Sequence, residues 1–321
     1  MLPIAVDALG GDKAPTEIIA GAREALAVGI PVVLVGPSDL QGRDGFDLIV
    51  ASEFIEMHED AASSVRNKKD STLVRAAEAV RDGKASAMIS AGNTGATMAS
   101  ALLRMGRIEG VKRPAIATPI PAPGTTPTVL LDAGANAEVE PEWLVQFGLM
   151  GSVYANARFA IENPRVGLLS IGEEPGKGDT LRKKAYELFS DAKNINFIGN
   201  VEGRDIMTDK VDVVVTDGFT GNVALKTLEG TMRGVVKALF AAISEPEYKV
   251  HADGIMPALL SLYSTFDPDT YGGAILLGVD GVCIISHGSS GSRAMLNGIK
   301  VAKEMVEVDM VGKIRQALQQ Q

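Results

Sequence analysis

Seven short apolar segments in this chain of 321 residues each end in a polar loop that contains glycine. In SAMISAGNTGATMA (86–99), an apolar run reaches Ser90 and then breaks at Gly92 and Gly95 before an alanine-rich stretch begins. The same pattern follows the runs at 3–6, 128–131, 166–171, 196–198, 212–216 and 282–286. Short runs rich in Val, Ile and Leu are typical of strands that are buried on both faces.

Segments with helical periodicity separate these runs, at 72–84, 142–159, 179–192 and 222–243. Strands that alternate with helices predict an α/β protein with a mostly parallel, twisted sheet flanked by helices. We expect a single domain over 1–321 with a small helical protrusion at about 240–270. In such a sheet the loops after the strands share one edge, where ligands bind. The pattern therefore predicts that all seven loops line one crevice.

Composition and charge narrow the class of protein. A hydrophobic content of 46% is typical of a globular protein, and a net charge of −9 disfavours general nucleic-acid binding. No apolar run approaches the roughly 20 residues that span a bilayer, and the N-terminus lacks the pattern of a signal peptide. The single cysteine, Cys283, excludes an intrachain disulfide and is interpreted as a small core residue. These features predict a cytoplasmic protein.

The common motifs for cofactors and metals are missing from the sequence. The stretch GEEPGKGD differs from a P-loop, because Gly172 lies one residue too close to Gly176 and Gly178 stands where Ser or Thr is required. No strand is followed by the glycine motif of dinucleotide-binding proteins, and the three histidines lack metal-ligand spacing. We therefore expect no cofactor and no metal. The remaining glycines, amides and hydroxyls suit a small oxyanion such as phosphate.

Eight segments of the sequence together resemble one known family. They occur in order from about Ile4 to about Ala302 and read VDALGGDKAP, ISAGNTGA, LDAGAN, LLSIGEEPGKG, NFIGNVEGRD, DVVVTDGFTGNVALKTLEG, YGGAILLGVDG and HGSSGS. The resemblance is to the bacterial acyl-carrier-protein:phosphate acyltransferases of phospholipid synthesis. Two departures from the family pattern are Leu9, where methionine is usual, and Ser170, where asparagine is usual.

The resemblance implies a fold, a reaction and partners. The fold is related to that of phosphotransacetylases and of isocitrate- and isopropylmalate-type dehydrogenases, and members are homodimers. The reaction moves a fatty acyl group from the phosphopantetheine thioester of acyl carrier protein to inorganic phosphate, without a metal or redox cofactor. The acyl phosphate product is then used by a downstream glycerol-phosphate acyltransferase.

The resemblance also implies the residues of the site. It places Lys177 as a charge stabiliser and Asn222 as a hydrogen-bond donor at the reacting centre, and His287 is a candidate proton carrier. The structural alternatives are a solvated lysine, an N-cap and a hydrogen-bonded crevice histidine. Asp7 and Asp12 would repel phosphate, so their alternative role is to orient loops. The candidate substrate-binding and phosphate-binding residues are Asp7, Gly10, Gly11, Asp12, Gly92, Asn93, Thr94, Gly95, Asn136, Asn200, Asp217, Ser289 and Ser290.

Docking of the carrier requires a local basic surface, because acyl carrier protein is acidic and this chain carries a net charge of −9. The candidate is the basic segment, defined as Arg104, Arg107, Lys112 and Arg113. A second basic cluster lies at 182–184. For either cluster the alternative is an ordinary solvated surface.

The resemblance further implies peripheral association with the inner face of the membrane. The candidate contact is the tip stripe, defined as Met256, Leu259, Leu260 and Tyr263, which share one face of a predicted helix. The alternatives are packing in the core or across a dimer contact. The predicted helix at 255–266 has no Lys or Arg on its polar face, which disfavours a membrane contact.

Two other functions stay open at the level of sequence. One is a phosphotransacetylase-like transferase that moves the acyl group from acyl-coenzyme A to phosphate. The other is a non-catalytic scaffold for lipid-synthesis enzymes at the membrane surface. Phosphate-dependent release of the carrier thiol separates the leading function from both alternatives.

Overall fold

The structure, a computed structural model, describes residues 1–320, apart from the side chains at 249, 250, 253 and 268. The strands β1 to β11 are, in chain order, Ile4–Asp7, Val32–Gly36, Asp47–Val50, Ala87–Ser90, Ala115–Ile120, Thr128–Leu131, Arg165–Leu169, Asn196–Val201, Val213–Val215, Ala274–Leu277 and Val282–Ile285. They form one sheet in the order β3-β2-β1-β4-β11-β10-β5-β6-β9-β7-β8.

The helices α1 to α10 are, in chain order, Thr16–Ala27, Ala61–Asn67, Thr72–Arg81, Thr94–Arg104, Pro141–Phe159, Thr180–Asp191, Gly218–Ser244, Lys249–Phe266, Ser292–Glu307 and Met310–Gln319. Two 3-10 helices cover Gly203–Asp205 and Pro268–Tyr271. The predicted α/β class is confirmed, because all seven apolar runs contain a strand and the four helical segments correspond to α3, α5, α6 and α7.

Aspartate and asparagine side chains begin three of the helices that follow strands. Asn93 accepts a hydrogen bond from the Ala96 amide at the start of α4. Asp179 accepts one from the Arg182 amide at the start of α6. Asp217 caps α7 by accepting from the Thr220 amide. Side-chain oxygens at this position satisfy amides that have no partner within the helix. The interpretation of Asn222 as an N-cap is therefore wrong, since α7 begins four residues earlier at Gly218.

Two strands reverse the direction of the sheet near its middle. Strand β10 is antiparallel to β11 and to β5, and β5 is antiparallel to β6. The strands β1, β4 and β11 consequently point one way, whereas β6, β7, β8 and β9 point the opposite way. We call the edge at the carboxyl ends of β1, β4 and β11 the first edge, and the opposite one the second edge.

The prediction that seven loops share one edge is wrong, because of this reversal. Three loops, at 8–12, 91–95 and 286–291, lie at the first edge. The other four, at 132–136, 170–178, 202–205 and 216–222, lie at the second edge. The sequence prediction failed since β5 and β10 were not among the seven recognised runs, and only those two strands carry the reversal.

Helices cover both faces of the sheet and bury an extensive core. On one face, Ile18 of α1, Phe147 of α5 and Met295 of α9 are completely buried in one cluster. On the other face, Leu73 of α3 and Ala101 of α4 pack over the same sheet together with Cys283 of β11. The sheet is therefore stabilised by helices that pack against both of its faces.

The helices α7 and α8 differ from those helices because most of their residues are exposed. In α7 only Gly218 and Gly221 are buried, although Leu225 packs against the core of the sheet. Helix α8 occupies most of the range in which we expect the helical protrusion. Among the described residues, no helix combines the length and the apolar character that crossing a membrane requires.

Candidate active site

Lys177 and Asn222 both lie at the second edge, and both are exposed. Lys177 belongs to the loop after β7, and Asn222 lies in the first turns of α7 after β9. The loop after β6 approaches Asn222 closely, since a Cβ built on Gly134 would lie 3.6 Å from the Asn222 Cβ. The Lys177 cation, on the loop after β7, and the Asn222 amide, on α7, are therefore both open to a ligand.

Asp132, which the sequence analysis missed, organises the loop after β6. Its buried carboxylate accepts hydrogen bonds from the amides of Ile116 (3.0 Å), Ala135 (2.9 Å) and Asn136 (2.8 Å). Burial raises the pKa of Asp132, and these hydrogen bonds oppose the rise. A signal was present in LDAGAN, where an aspartate ends a buried strand directly before a glycine turn.

The loop after β6 is joined tightly to the start of α7. The Gly218 amide donates to the Asn136 carbonyl at 2.7 Å. At Gly221 a Cβ would lie 1.9 Å from the Asp132 carbonyl oxygen, so only glycine allows this approach of the two backbones. The position of Asn222, one residue later, is thereby fixed relative to the sheet.

Arg182 joins the Lys177 loop to the start of α7. Its Nη1 donates to Asp179 at 2.9 Å, and its Nη2 donates to Thr216 and Thr220 at 3.1 Å each and to the Asp217 carboxylate. The Arg182 side chain is only 12% exposed. Although burial opposes ionisation, the Thr220 hydrogen bonds and the Arg182 charge lower the pKa of Asp217. The assignment of Arg182 to a docking surface is therefore replaced by a role in joining loops.

A second set of contacts, from Asn200 of β8 and from Lys210, holds the Lys177 loop. The Asn200 Nδ2 donates to the Glu174 carbonyl at 2.9 Å, and the Lys177 amide donates to the same oxygen at 3.0 Å. The Lys210 ammonium binds the Glu173 carboxylate at 2.9 Å. Among the described residues, the buried Ser170 Oγ and Asn200 Oδ1 have no hydrogen-bond partner. The loop is therefore held in place at Glu173 and Glu174, whereas the Lys177 side chain stays exposed.

At the first edge, polar groups of the loops form hydrogen bonds with one another. The Ser90 hydroxyl donates to the buried Asp7 carboxylate at 2.7 Å and accepts from the Gly92 amide at 2.9 Å. Burial raises the pKa of Asp7, although the Ser90 hydrogen bond opposes the rise. A Cβ on Gly10 would lie 2.5 Å from the Asp7 carboxylate. Asp7 therefore orients this loop, as its alternative role predicted.

The loop after β11 completes the first edge. The exposed His287 has its Nδ1 2.8 Å from the Ser289 hydroxyl, and the Ser286 and Ser290 hydroxyls are 2.8 Å apart. The Asp12 amide donates to the Gly288 carbonyl at 2.8 Å, which ties the loops after β1 and β11 together. The structure thus places His287 at the opposite edge of the sheet from Lys177 and Asn222.

Three predicted ligand amides are engaged within the protein. The Asn93 Nδ2 donates to the Met57 and Glu59 carbonyls, at 3.1 and 3.0 Å. The Asn136 Nδ2 donates to the Pro114 carbonyl and to Asp132, at 2.8 and 2.9 Å. The third amide is that of Asn200, which donates to the Glu174 carbonyl, and all three amides hold loops in place. Phosphate binding by the three residues stays a prediction. The remaining candidates Gly11, Thr94 and Gly95 lie at the first edge.

The basic segment lies at the second edge. Helix α4 begins after β4 at the first edge, and the Ile108 amide donates at 3.0 Å to the Gly278 carbonyl beyond the end of β10. Arg107 and Lys112 are exposed, whereas Arg104 is half-buried and 3.8 Å from Glu78. The Arg113 guanidinium lies 4.9 Å from the centre of the Trp143 ring. This segment is thus at the same edge as Lys177 and Asn222.

Among the described residues, no three His, Cys, Asp or Glu side chains are grouped so that they could hold a metal ion. At the second edge, Lys177 provides an exposed cation and Asn222 an exposed amide. A cation can neutralise phosphate or a developing oxyanion, and an amide N–H can donate a hydrogen bond to either.

The chain is similar over its whole length to one protein family. The profile of the family described as fatty acid synthesis protein matches residues 2–313. The phosphate acyltransferase of Halothermothrix orenii is 47% identical over 332 residues, covering 98% of each chain. That of Dictyoglomus turgidum is 43% identical over 328 residues, covering 99% of this chain and 98% of the relative.

Solved structures show the fold alone at low sequence identity. A branched-chain phosphotransacylase from Enterococcus faecalis has a TM-score of 0.62 and 13% identity, and covers 95% of this chain and 99% of its own. A phosphotransacetylase from Staphylococcus aureus has a TM-score of 0.60 and 14% identity, and covers 95% of this chain and 94% of its own. The predicted relation to the phosphotransacetylase fold is confirmed.

Proposed function

The chain belongs to the fatty acid synthesis protein family of phosphate acyltransferases, and we propose that it moves a fatty acyl group from acyl carrier protein to inorganic phosphate. The observation that supports this reaction is the presence of Lys177, Asn222 and the basic segment at one edge of the sheet. The products are an acyl phosphate and the free carrier thiol, and the acyl phosphate is available to a downstream glycerol-phosphate acyltransferase.

In the proposed reaction a phosphate oxygen attacks the thioester carbonyl carbon. The new C–O bond forms as the carbonyl oxygen becomes negative. The C–S bond then breaks as this oxygen returns to a carbonyl, and the leaving thiolate takes up the proton that the attacking hydrogen phosphate carried, which gives the free thiol. The Lys177 ammonium neutralises phosphate, and the Asn222 amide donates to the developing oxyanion. Because phosphate is already a nucleophile, positioning supplies much of the rate. His287 is left out of this step since it lies at the first edge.

A thiol-release assay tests the proposal. Acyl carrier protein carrying a fatty acyl group is mixed with the enzyme, with and without inorganic phosphate, and the free thiol is measured. We expect thiol release only when phosphate is present. Faster release from acyl-coenzyme A would favour the phosphotransacetylase-like alternative, and no release from either thioester would favour the scaffold.

Charge reversal tests the docking role of the basic segment. With Arg107 and Lys112 both changed to Glu, carrier association should slow about tenfold at low salt, and the difference should shrink at high salt. The matched control reverses Lys300 and Lys313, which are exposed on α9 and α10 and belong to neither basic cluster. An unchanged association rate at low salt would exclude the basic segment.

We also propose that this chain forms a homodimer and contacts the membrane through the tip stripe. Exposed apolar residues on α7, including Val235 (59% exposed), support a partner surface. In the tip stripe Leu260 and Tyr263 are 52% and 44% exposed, which supports contact with a membrane or a partner. Leu260→Glu should abolish liposome binding and leave an active dimer, whereas a broken dimer would assign the stripe to the partner.

A further inference from the structure

The Asp132 carboxylate, which is completely buried, binds five N–H groups of the described residues. Its Oδ1 accepts hydrogen bonds from the amides of Ile116, Gly134 and Ala135, at 3.0, 3.1 and 2.9 Å. Its Oδ2 accepts from the amide and from the Nδ2 of Asn136, at 2.8 and 2.9 Å. Because hydrogen bonds to an ionised acceptor are roughly twice as strong as neutral ones, this carboxylate holds β5 and the loop at 132–136 in one arrangement.

The start of α7 is attached to the same loop. The Asp132 amide donates to the Thr216 carbonyl at 3.1 Å, and the Gly218 amide donates to the Asn136 carbonyl at 2.7 Å. A Cβ built on Gly218 would lie 2.9 Å from the Asp132 Oδ2, and one built on Gly221 would lie 1.9 Å from the Asp132 carbonyl oxygen. The first turn of α7 therefore lies directly against both the side chain and the backbone of Asp132.

Asn222 is placed by two glycines that contact Asp132. Gly221 precedes Asn222 in α7, and Gly134 lies beside it on the loop. A Cβ built on Gly134 would lie 3.6, 3.7 and 3.8 Å from the Cβ, Cγ and Oδ1 of Asn222. Since the Asn222 side chain is exposed, burial does not fix it, and its direction depends on the shape of this loop.

We propose that Asp132 is a positioning residue for the acyl transfer: through Gly134 and Gly221 it directs the Asn222 amide toward the developing oxyanion. The inference rests on the proposed function. Asp132 is completely buried, so it acts without touching a reacting atom. Because a displacement of about 1 Å at a reacting group can cost about 100-fold in rate, a buried residue that sets the loop can control kcat.

Asp132→Asn tests this role because it removes the charge and keeps the size of the side chain. The Oδ1 can still accept from the backbone amides, whereas the Nδ2 that replaces Oδ2 faces the N–H groups of Asn136, donor against donor. We expect kcat to fall about 10- to 100-fold with KM for phosphate and for the acyl carrier unchanged, which is the pattern of an interaction lost only in the transition state. An unchanged kcat in the folded variant would overturn the proposal.

Asp212→Asn is the matched control. Asp212 is also buried and accepts three hydrogen bonds from Arg165, at 2.7, 2.9 and 2.9 Å, but it precedes β9, at the opposite end of this strand from α7. We expect a lower melting temperature in this variant, with kcat of the folded protein within about twofold of the unmodified enzyme. An equal fall of kcat in both variants would assign the effect to general destabilisation and overturn the proposal.

A double-mutant cycle identifies the residue through which Asp132 acts. When Asn222→Ala is already present, adding Asp132→Asn should lower kcat by less than about twofold, because the amide that Asp132 positions is gone. Losses that multiply would mean that Asp132 acts through another group, which overturns the proposal.

Hydrogen exchange provides a readout that does not depend on activity. The segment 217–222 should exchange faster in Asp132→Asn than in the unmodified protein, and at an unchanged rate in Asp212→Asn. Should Asp132→Asn not fold, Asn136→Ala replaces it, because it removes one hydrogen bond to the Asp132 Oδ2. It should lower kcat to a smaller extent. A rise in KM for phosphate alone would instead assign phosphate binding to Asn136 and overturn the proposal.

The outcomes separate this inference from the proposed function. Absence of phosphate-dependent thiol release in the unmodified protein would reject both. Normal release in the unmodified protein and loss in Asn222→Ala, together with an unchanged kcat and unchanged exchange in Asp132→Asn, would reject the positioning role alone.

Discussion

The two edges of the sheet use similar residue types in different ways. At the first edge Asp7, Ser90 and the serines after β11 bind one another, and the loops satisfy most of their own polar groups. At the second edge the aspartates and Arg182 form the supporting network, whereas Lys177 and Asn222 remain exposed above it. Polar, glycine-containing loops after strands therefore do not by themselves leave side chains open to a ligand.

The two edges differ in whether they expose a cation above the hydrogen-bonded network, as Lys177 does at the second edge. A network that closes on itself offers a ligand few free donors, whereas a rigid network that carries a free cation is preorganised for an anion. This comparison predicts large effects of substitutions at the exposed residues of the second edge and small effects at the first edge.

Removal of Lys177 or Asn222 should have the largest effect on activity. Lys177→Ala and Asn222→Ala are each expected to lower turnover about 100- to 1000-fold, the usual result of losing one oxyanion-stabilising group. Their melting temperatures should stay close to that of the unmodified protein, because both side chains are exposed. Steady-state thiol release and thermal melting measure the two quantities.

Lys183→Ala is the control for Lys177→Ala, as Lys183 is exposed on the adjacent helix α6. Near-normal turnover in folded Lys177→Ala or Asn222→Ala would remove that residue from the reaction and would weaken the contrast between the edges.

Substitution of Arg182 should have the next largest effect. Arg182→Ala leaves the buried Asp217 without its partner, and removing one partner of a buried ion pair costs about 3–5 kcal/mol of unfolding free energy. Arg182→Lys keeps the charge but loses the planar fork, so we expect kcat to fall about tenfold with KM for phosphate unchanged. Lys184→Ala provides the exposed comparison on the same helix.

For Arg182→Lys, a split between kcat and KM distinguishes positioning of the two loops from a general loss of folded protein. Equal kcat in Arg182→Lys and the unmodified enzyme would show that the joint between the Lys177 loop and α7 does not support catalysis.

Asp217 at the second edge and Asp7 at the first edge should respond to pH in opposite directions, whereas Asp132, also at the second edge, shares the raised pKa of Asp7. The pKa of Asp217 is lowered in the folded state, so its stabilising contribution is present above its unfolded pKa of about 3.8 and is lost as pH falls through the folded pKa. The pKa of Asp7 is raised, so its contribution is present below the unfolded pKa and is lost as pH rises through the folded pKa.

Denaturant unfolding of Asp217→Asn and Asp7→Asn between about pH 3 and pH 8 checks this prediction. Relative to the unmodified protein, Asp217→Asn should become less stable as pH rises, whereas Asp7→Asn should become more stable. Parallel slopes for the two variants would contradict the assignment of opposite environments to Asp217 and Asp7.

His287→Ala should have the smallest effect, less than about threefold on turnover, whereas loss of a general acid or base typically costs about 10²- to 10⁴-fold. The reason is the position of His287 at the first edge. A hundredfold loss would contradict the assignment of the reaction to the second edge alone, because it would mean that His287 takes part in the reaction. The pH profile of turnover in the variant distinguishes loss of a proton carrier from loss of a contact.

The sequence predicted seven of the eleven strands in the described part of the chain, missed β2, β3, β5 and β10, and did not predict how the strands are directed. Periodicity identifies a buried strand, whereas its direction depends on which neighbour it pairs with, as β5 and β10 illustrate. For the site, the family resemblance implied Lys177 and Asn222, whose roles stay predictions, but not that Asn93, Asn136 and Asn200 use their amides for loop carbonyls. Short-range sequence carries no record of such contacts across the sheet.

The burial of Cys283 has a practical consequence for every thiol measurement on this protein. Burial raises the pKa of this thiol to about 12, and it is the one cysteine of the chain. A thiolate is the form that reacts with colorimetric reagents, so the folded enzyme contributes no background to an assay of carrier thiol release. Thiol signal from the enzyme alone would then measure the unfolded fraction, up to one equivalent per chain when every molecule is unfolded, so each kinetic experiment reports the state of its own sample.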